Sequence, residues 1–181
     1  MHRKRSFIAS PLNRPLITLT RPPVIAPKWG LNSGLLVPPL GLAYLAASLR
    51  QHGFPVAIVD PVGEAPFELH PVPGRPLESY GWGLDRIVAA VPSHSRYIGV
   101  SCTFSQEWPF ARELLRKLRQ RFPQAVLIAG GEHVTAAPDF SLRDCTELDS
   151  VVLGEGEQTL LELVRTLEGG GDVSTVAGLA F

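Results

Sequence analysis

Five short runs dominated by Val, Ile and Leu, at residues 16–20, 56–59, 97–101, 125–129 and 150–153, constrain the fold most. Each is apolar throughout rather than alternating, the pattern of parallel strands covered on both faces. Helical patterns separate them. Residues 40–52 are rich in Ala and Leu and stop at Gly53. Residues 107–122 place Phe110, Leu114 and Leu118 on one stripe beside Ala111, Leu115 and Phe122, with Arg112, Arg116, Lys117 and Arg119 elsewhere. Residues 157–167 repeat the logic with Leu160, Leu163, Val164 and Leu167. Strands alternating with helices predict a doubly wound α/β domain: a five-stranded parallel sheet in the flavodoxin-like (Rossmann-type) order.

Two stretches interrupt the rhythm and read as long loops. Residues 21–39 carry prolines at 22, 23, 27, 38 and 39, and residues 61–83 carry them at 61, 66, 71, 73 and 76. Long loops in a compact domain are functional or disordered. The first follows a strand end, where α/β ligands bind; the second belongs to a sheet edge and takes a structural reading. The basic start, residues 1–14, reads as a flexible tail because Pro11 and Asn13 interrupt any signal-peptide core.

Composition removes several functions. Seventeen basic side chains balance seventeen acidic ones, which argues against nucleic acid as a partner. No apolar run approaches bilayer length, so no membrane span is expected. Cys102 and Cys145 are the two cysteines, too far apart in sequence for a metal-spaced pair, and a reduced, cytoplasmic setting follows most simply. Neither a Gly-x-Gly-x-x-Gly loop after the first strand nor a Gly-x-x-x-x-Gly-Lys-Ser/Thr loop is present, which disfavours dinucleotides and nucleoside triphosphates.

Ligands of open parallel sheets bind beyond the carboxyl ends of the strands. The segments in that position are Ser101-Cys102-Thr103-Phe104-Ser105-Gln106-Glu107-Trp108, Gly130-Gly131-Glu132-His133-Val134-Thr135 and Gly154-Glu155-Gly156-Glu157. Glycine lets a ligand approach the backbone, so two glycine-marked strand ends suit something large and flat-sided. Each feature also has a plainer reading: a tight turn at Gly130 and Gly131, a helix start at Gly154–Gly156, and capping by Ser101 and Thr103.

Three motifs in order carry a resemblance across residues 15–170. Pro38-Pro39-Leu40-Gly41-Leu42-Ala43-Tyr44-Leu45-Ala46, Gly130-Gly131-Glu132-His133-Val134-Thr135-Ala136 and Gly154-Glu155-Gly156-Glu157 resemble the first-helix start and the fourth- and fifth-strand loops of a known family. That family comprises the cobalamin-binding domains at the N-termini of cobalamin-dependent radical S-adenosylmethionine enzymes. The Glu-His form of the fourth-strand loop is similar to the branch with the anaerobic Mg-protoporphyrin monomethyl ester cyclases.

The resemblance implies a corrin over the strand ends and a dimethylbenzimidazole tail in a slot between sheet and helices. Small residues at the slot mouth, Ser101, Gly130 and Gly131, then make sense. It implies cofactor contacts at Ser101, Cys102, Thr103, Phe104, Ser105, Gln106 and Trp108. Further contacts fall on Gly130, Gly131, Glu132, His133 and Val134, and on Gly154, Glu155 and Gly156. Phe104, Gln106 and Trp108 are the candidates for the lower side of cobalt, and His133 is expected to hydrogen-bond rather than ligate.

Two departures from the family pattern refine this. The Asp-x-His-x-x-Gly motif that supplies a lower cobalt ligand in methionine-synthase-type domains is missing: residues 21–39 contain no histidine. Glu68-Leu69-His70 followed by Gly74 imitates it with the wrong spacing and after the wrong strand. Base-off, histidine-off cobalamin is therefore expected. The Cys-x-x-x-Cys-x-x-Cys loop of radical chemistry is also missing.

The expectation is a binding module without catalytic or metal-ligating residues of its own. Residues 171–181 would lead toward a radical barrel holding a four-iron four-sulfur cluster and S-adenosylmethionine, and the parent would be a methyltransferase or cyclase. Three rival readings are a cofactor-free docking or substrate-binding module, a free-standing corrinoid carrier, and a phosphate-binding flavodoxin-like protein of another class.

Overall fold

All five apolar runs become strands, and prolines alone did not keep the intervening loops from pairing as well. The computed structural model describes residues 14–28 and 37–181. The expected tail falls outside them except for Arg14, whose guanidinium lies 4.7 Å from the Phe54 ring centroid. Residues 29–36 of the first long loop also lie outside them.

The chain enters through β1 (Leu16–Thr20) and β2 (Val24–Pro27), then α1 (Leu40–Gln51), β3 (Val56–Val59) and α2 (Pro61–Glu64). The short strands β4 (Leu69–Pro71) and β5 (Leu77–Tyr80) precede α3 (Leu84–Ala90) and β6 (Ser95–Ser101). Next come a 3-10 turn (Ser105–Glu107), α4 (Trp108–Arg121), β7 (Val126–Gly130), α5 (Glu132–Ala136) and α6 (Pro138–Asp144). The chain closes with β8 (Ser150–Val152), α7 (Gly156–Glu168), a second 3-10 turn (Val173–Thr175) and β9 (Leu179–Ala180).

The main sheet has the order β3-β1-β6-β7-β8-β9. Its first five members run parallel, in the doubly wound order read from the sequence. It has six strands rather than the five expected, because β9 adds antiparallel to β8, with Val151 opposite Ala180 and Val152 opposite Leu179.

Side chains alternate across the sheet, so each strand feeds two cores. Ile98, Val100, Cys102, Leu127 and Ala129 pack with α3 and α4. Ile17, Leu19, Tyr97, Ile128 and Val152 pack with α1 and α7. Thr18 and Thr20 are wholly buried on β1 without a polar penalty. Thr18 Oγ1 pairs with Ser95 Oγ at 2.7 Å, and Thr20 Oγ1 donates to the Val59 carbonyl at 2.8 Å.

The two proline-rich stretches are not plain loops. They pair with each other as a three-stranded antiparallel sheet, β2-β5-β4, which buries Ile25, Ala26, Ser79 and Tyr80. Proline fits because the strands are short and their partners few. Pro27 ends β2 and Pro71 ends β4, the two outer strands, where a missing N–H costs little. His70, the loose imitation of a cobalt ligand, sits in β4 with Nε2 3.0 Å from Glu68.

Candidate functional site

Small residues at alternate positions open a cleft on one face of the sheet. On β6, Tyr97 is wholly buried among α1 and α7, but the next two residues on that face are Gly99 and Ser101. On β7 Ile128 is followed on the same face by Gly130. Gly41 on α1 and Gly156 on α7 face them. Bulk is thus withdrawn from sheet and helices together toward the carboxyl ends of the strands. The result is a cleft of about 250 Å³.

Its inner walls are Leu19, Leu42, Leu45, Ile128, Val152 and Leu160. Ser101 and Thr103 bring hydroxyls, and neither hydroxyl caps α4, which begins without a side-chain cap. Glu132, Glu155 and Glu157 stand at the mouth, with no Lys or Arg among the lining residues. Among the described residues, the helices α1 and α7 both start at this end without a side-chain cap, so some first-turn backbone N–H groups have no intrahelical acceptor.

Of the residues singled out from sequence, Ser101, Thr103, Gly130, Gly131, Glu132, Gly154, Glu155 and Gly156 line this cleft. The others lie beside it or behind it. Cys102 and Val134 are fully buried in the α4-side core. Trp108 is buried there too, its indole Nε1 donating to Asp144 Oδ2 at 2.9 Å, with Arg112 on the same carboxylate at 2.8 Å. Phe104 and Gln106 are exposed on the rim. Ser105 Oγ lies 2.9 Å from His133 Nδ1.

His133 is 8% exposed, its ring 5.0 Å from Trp108 and edge-on to Phe140. Its Nε2 is buried without a hydrogen-bond partner among the described residues, and desolvation lowers its pKa below the ordinary histidine value. Burial likewise raises the Glu107 carboxyl, a trend opposed by the Phe104 backbone and Arg21. Arg21 is itself bound to Asp60 at 2.8 Å, bridging the ends of β1 and β3.

Leu19, Gly99, Ile128, Val152 and Leu160 line the cleft without having been singled out, and Gly41, Leu42 and Leu45 of the first-helix motif line it without having been expected as contacts. One signal was available: Gly99, Ser101 and Gly130 are small residues spaced by two inside strands that are otherwise bulky. Among the described residues, no group of three or more His, Cys, Asp or Glu is placed to hold a metal. No helix among them is long and apolar enough to cross a membrane.

Two solved structures share the fold at low identity. The RcsB response regulator of Salmonella typhimurium superposes with a TM-score of 0.54 at 13% identity, covering 91% of this chain and 67% of that one. A CheY-like protein from Pseudomonas aeruginosa gives 0.53 at 15% identity, covering 86% and 99%. These likenesses concern architecture alone.

Sequence relatives are more specific. The cytidylyl-2-hydroxyethylphosphonate methyltransferase of Streptomyces wedmorensis is 35% identical over 145 residues, 79% of this chain and 27% of that protein. An uncharacterised methyltransferase of Pyrococcus horikoshii is 29% identical, covering 82% and 28%. The anaerobic magnesium-protoporphyrin IX monomethyl ester cyclase of a Synechocystis species is 30% identical, covering 80% and 26%. The chain spans about a quarter of the length of these relatives. The family described as the B12 binding domain matches residues 29–164, most of the chain and every cleft-lining residue except Leu19. By that match, this chain belongs to the B12 binding domain family.

Proposed function

We propose that the chain holds cobalamin base-off and histidine-off, with the nucleotide base in the α1–α7 cleft and the corrin over the strand-end rim. The cleft carries this reading. Its volume of about 250 Å³ lies just under the usual range for small-molecule pockets, roughly 300–1,000 Å³, and suits one flat piece of a ligand. The rest of a large cofactor must lie outside, where Leu40, Phe104 and Phe140 expose apolar surface.

The donor set fits such a group. Apolar walls take an aromatic base, and Gly130 leaves open the space that a side chain would fill. The uncapped starts of α1 and α7 offer N–H groups to the nucleotide arm at the mouth. Among the described residues no cation lines the cleft and three glutamates stand at its mouth, which disfavours burying a phosphate there, as a flavin mononucleotide reading would require. No histidine occurs in residues 21–39 to ligate cobalt from below.

When bound, cobalamin supplies a cobalt centre able to carry a methyl group. The chain's own residues bind, orient and shield it; none is assigned a proton transfer. We further propose that the module serves a radical S-adenosylmethionine methyltransferase or cyclase, whose cluster and cosubstrate bind elsewhere in the parent. The names of the relatives support this extension.

Expression under anaerobic conditions with hydroxocobalamin, followed by desalting, tests the reading. A coloured protein with a base-off visible spectrum is expected. A colourless one favours a docking module without cofactor. In the reduced Co(II) form, electron paramagnetic resonance should lack splitting from an axial nitrogen; a nitrogen triplet would overturn the histidine-off assignment.

A further inference from the structure

Helix α1 is apolar around most of its circumference, although one flank meets solvent. Arg50 is its single charged residue. Leu42, Ala46 and Leu49 go to the core, and Ser48 Oγ reaches the Glu157 carbonyl of α7. The flank turned away from α7 carries Ala43, Ala47 and Arg50, spaced by four and three residues and therefore on one stripe. Arg50 fixes where that stripe points, because its Nη2 lies 2.8 Å from the Val56 carbonyl at the start of β3. Ala43, Tyr44 and Ala47 are exposed, Tyr44 by 64%. A helix of this composition belongs in an interior.

Strand β3 ends the main sheet beside it and, among the described residues, has β1 as a neighbour on one side only. The Pro55 carbonyl accepts from Ile17 N–H of β1. Alternation along a parallel ladder therefore aims the N–H and carbonyl groups of Val56 and Ile58 outward. The Val56 carbonyl takes Arg50, and the outward pair on Ile58 is left for a further strand. Val56-Ala57-Ile58-Val59 contains no charge, proline or bulge, the devices that ordinarily protect an edge from pairing. Ile58 is 37% exposed and lies on the α1 face, since its neighbour Leu19 packs there.

We propose that a second copy of this chain covers this edge. Strand β3 pairs antiparallel with β3 of the second copy about a two-fold axis at Ile58, and the two α1 helices pack side by side. Such an axis stands perpendicular to the sheet, which keeps both helices on the same face. Helix α1 lies over β3 and β1. Centred between them, its axis falls half a strand spacing inside β3. The two helix axes then stand about two spacings apart, roughly 9.6 Å. Packed helices are separated by about 8–10 Å, and alanines at 43 and 47 permit that approach.

Charge agrees with this register. With Ile58 opposite Ile58, Val56 falls opposite Asp60 of the second copy. Arg50, held at Val56, then meets a carboxylate, once in each half of the interface. Asp60 commits Oδ1 to Arg21 and to Val62 N–H, which leaves Oδ2 for the contact. Two helix flanks about 18 Å long and a four-residue edge bury on the order of 1,000 Å² in total. That is the low end for a specific interface, so the dimer belongs to the micromolar class.

Sedimentation velocity of the full chain, from about 5 to about 500 μM, should pass from one chain mass to two with a dissociation constant of roughly 1–100 μM. Ile58→Lys sets like charges at the axis, and Ala47→Glu puts bulk and charge between the helices. Each should weaken dimerisation at least tenfold with an unchanged circular dichroism spectrum. Phe181→Ser, at an exposed position beyond β9 on the opposite edge of the sheet, should leave it unaltered. A chain that keeps one mass at the highest concentration overturns the proposal and leaves the α1 flank to another part of a longer polypeptide. A dimer that survives both Ile58→Lys and Ala47→Glu, or is lost to Phe181→Ser, overturns it as well. The contact lies on the flank of α1 away from the cleft, so these outcomes do not depend on whether cobalamin is retained.

Discussion

A Cβ atom added to Gly131 would lie 2.5 Å from the carbonyl oxygen of Cys102, closer than real side chains approach. Gly131 also adopts φ +110°, in a region that L side chains rarely enter. The two strand-end loops therefore touch backbone to backbone, and His133 N–H donates to that same carbonyl at 3.3 Å. Gly131→Ala is expected to destabilise the fold by roughly 2 kcal/mol or more, combining backbone strain with the clash. Thermal denaturation of the chain without cofactor measures it; an unchanged midpoint would contradict the contact.

Gly130 behaves in the opposite way. Its φ is ordinary, and the nearest atom to an added Cβ is the Val152 carbonyl oxygen at 3.9 Å. Gly130→Leu should keep the fold and fill the cleft, lowering hydroxocobalamin retention at least tenfold with little change in melting. Equal retention by Gly130→Leu and wild type would place the base elsewhere.

Both thiols should be inert in the folded chain. Burial pushes Cys102 up to about 12 and Cys145 up to about 11, with Glu107 and Glu147 adding to the effect. At pH 8 the thiolate fractions are then far too small for ready alkylation. Iodoacetamide should label neither cysteine under native conditions and both in denaturant, as intact mass will report.

His133 makes stability depend on pH with a definite sign. Its folded pKa is lowered by desolvation, so protons bind the unfolded chain more readily. The contribution is fully present above the unfolded value, about 6.5, and fades as pH falls below it toward the folded value. His133→Gln should therefore lose less stability than wild type between pH 7 and 5.5, measured by urea denaturation. A steeper loss in the variant would reverse the assignment.

Trp108 should matter more to folding than to any ligand. It is 4% exposed and its indole N–H is already committed to Asp144. Trp108→Ala should cost about 3–5 kcal/mol, and Trp108→Phe less, chiefly through the lost indole hydrogen bond to Asp144, which keeps its Arg112 partner. Trp108→Phe should retain cobalamin nearly as wild type does; strong loss of binding with intact folding would return Trp108 to the cobalt face.

The parallel sheet was legible because its five parallel strands are nearly continuous apolar runs, a local signature that needs no partner. The small sheet was not. Its strands pair Val24–Pro27 with Leu77–Tyr80 across some fifty residues of chain, and β4 and β5 mix polar residues among the apolar ones, so no local run announces them. Prolines then turned both segments into apparent loops. α5 and α6 escaped for a related reason: they have five and seven residues, shorter than two helical turns of amphipathic pattern.

The site divided along the same line. Gly130, Gly131 and Gly154–Gly156 follow strands and could be found from strand ends alone. Leu42, Leu45 and Leu160 read as ordinary core, since nothing in their spacing says that the sheet opposite them has been hollowed. Trp108 and His133 attracted interest as aromatic and titratable groups near a strand end, and both side chains go to the α4 side of the sheet. Which face a loop residue turns toward is decided by backbone geometry, not by its chemistry.

Leu19 reaches across to within 2.8 Å of where a Gly99 side chain would begin. That crossing sets a depth gauge: from Gly99 to Ser101 is two rungs of strand, about 7 Å. Whatever descends from above stops at the leucine, short of Tyr97, which is tied to Glu168 at 2.6 Å and held in place. On the proposed reading, a two-ring base would bottom out there, and one methyl-sized change at residue 19 would retune how high the attached macrocycle rides.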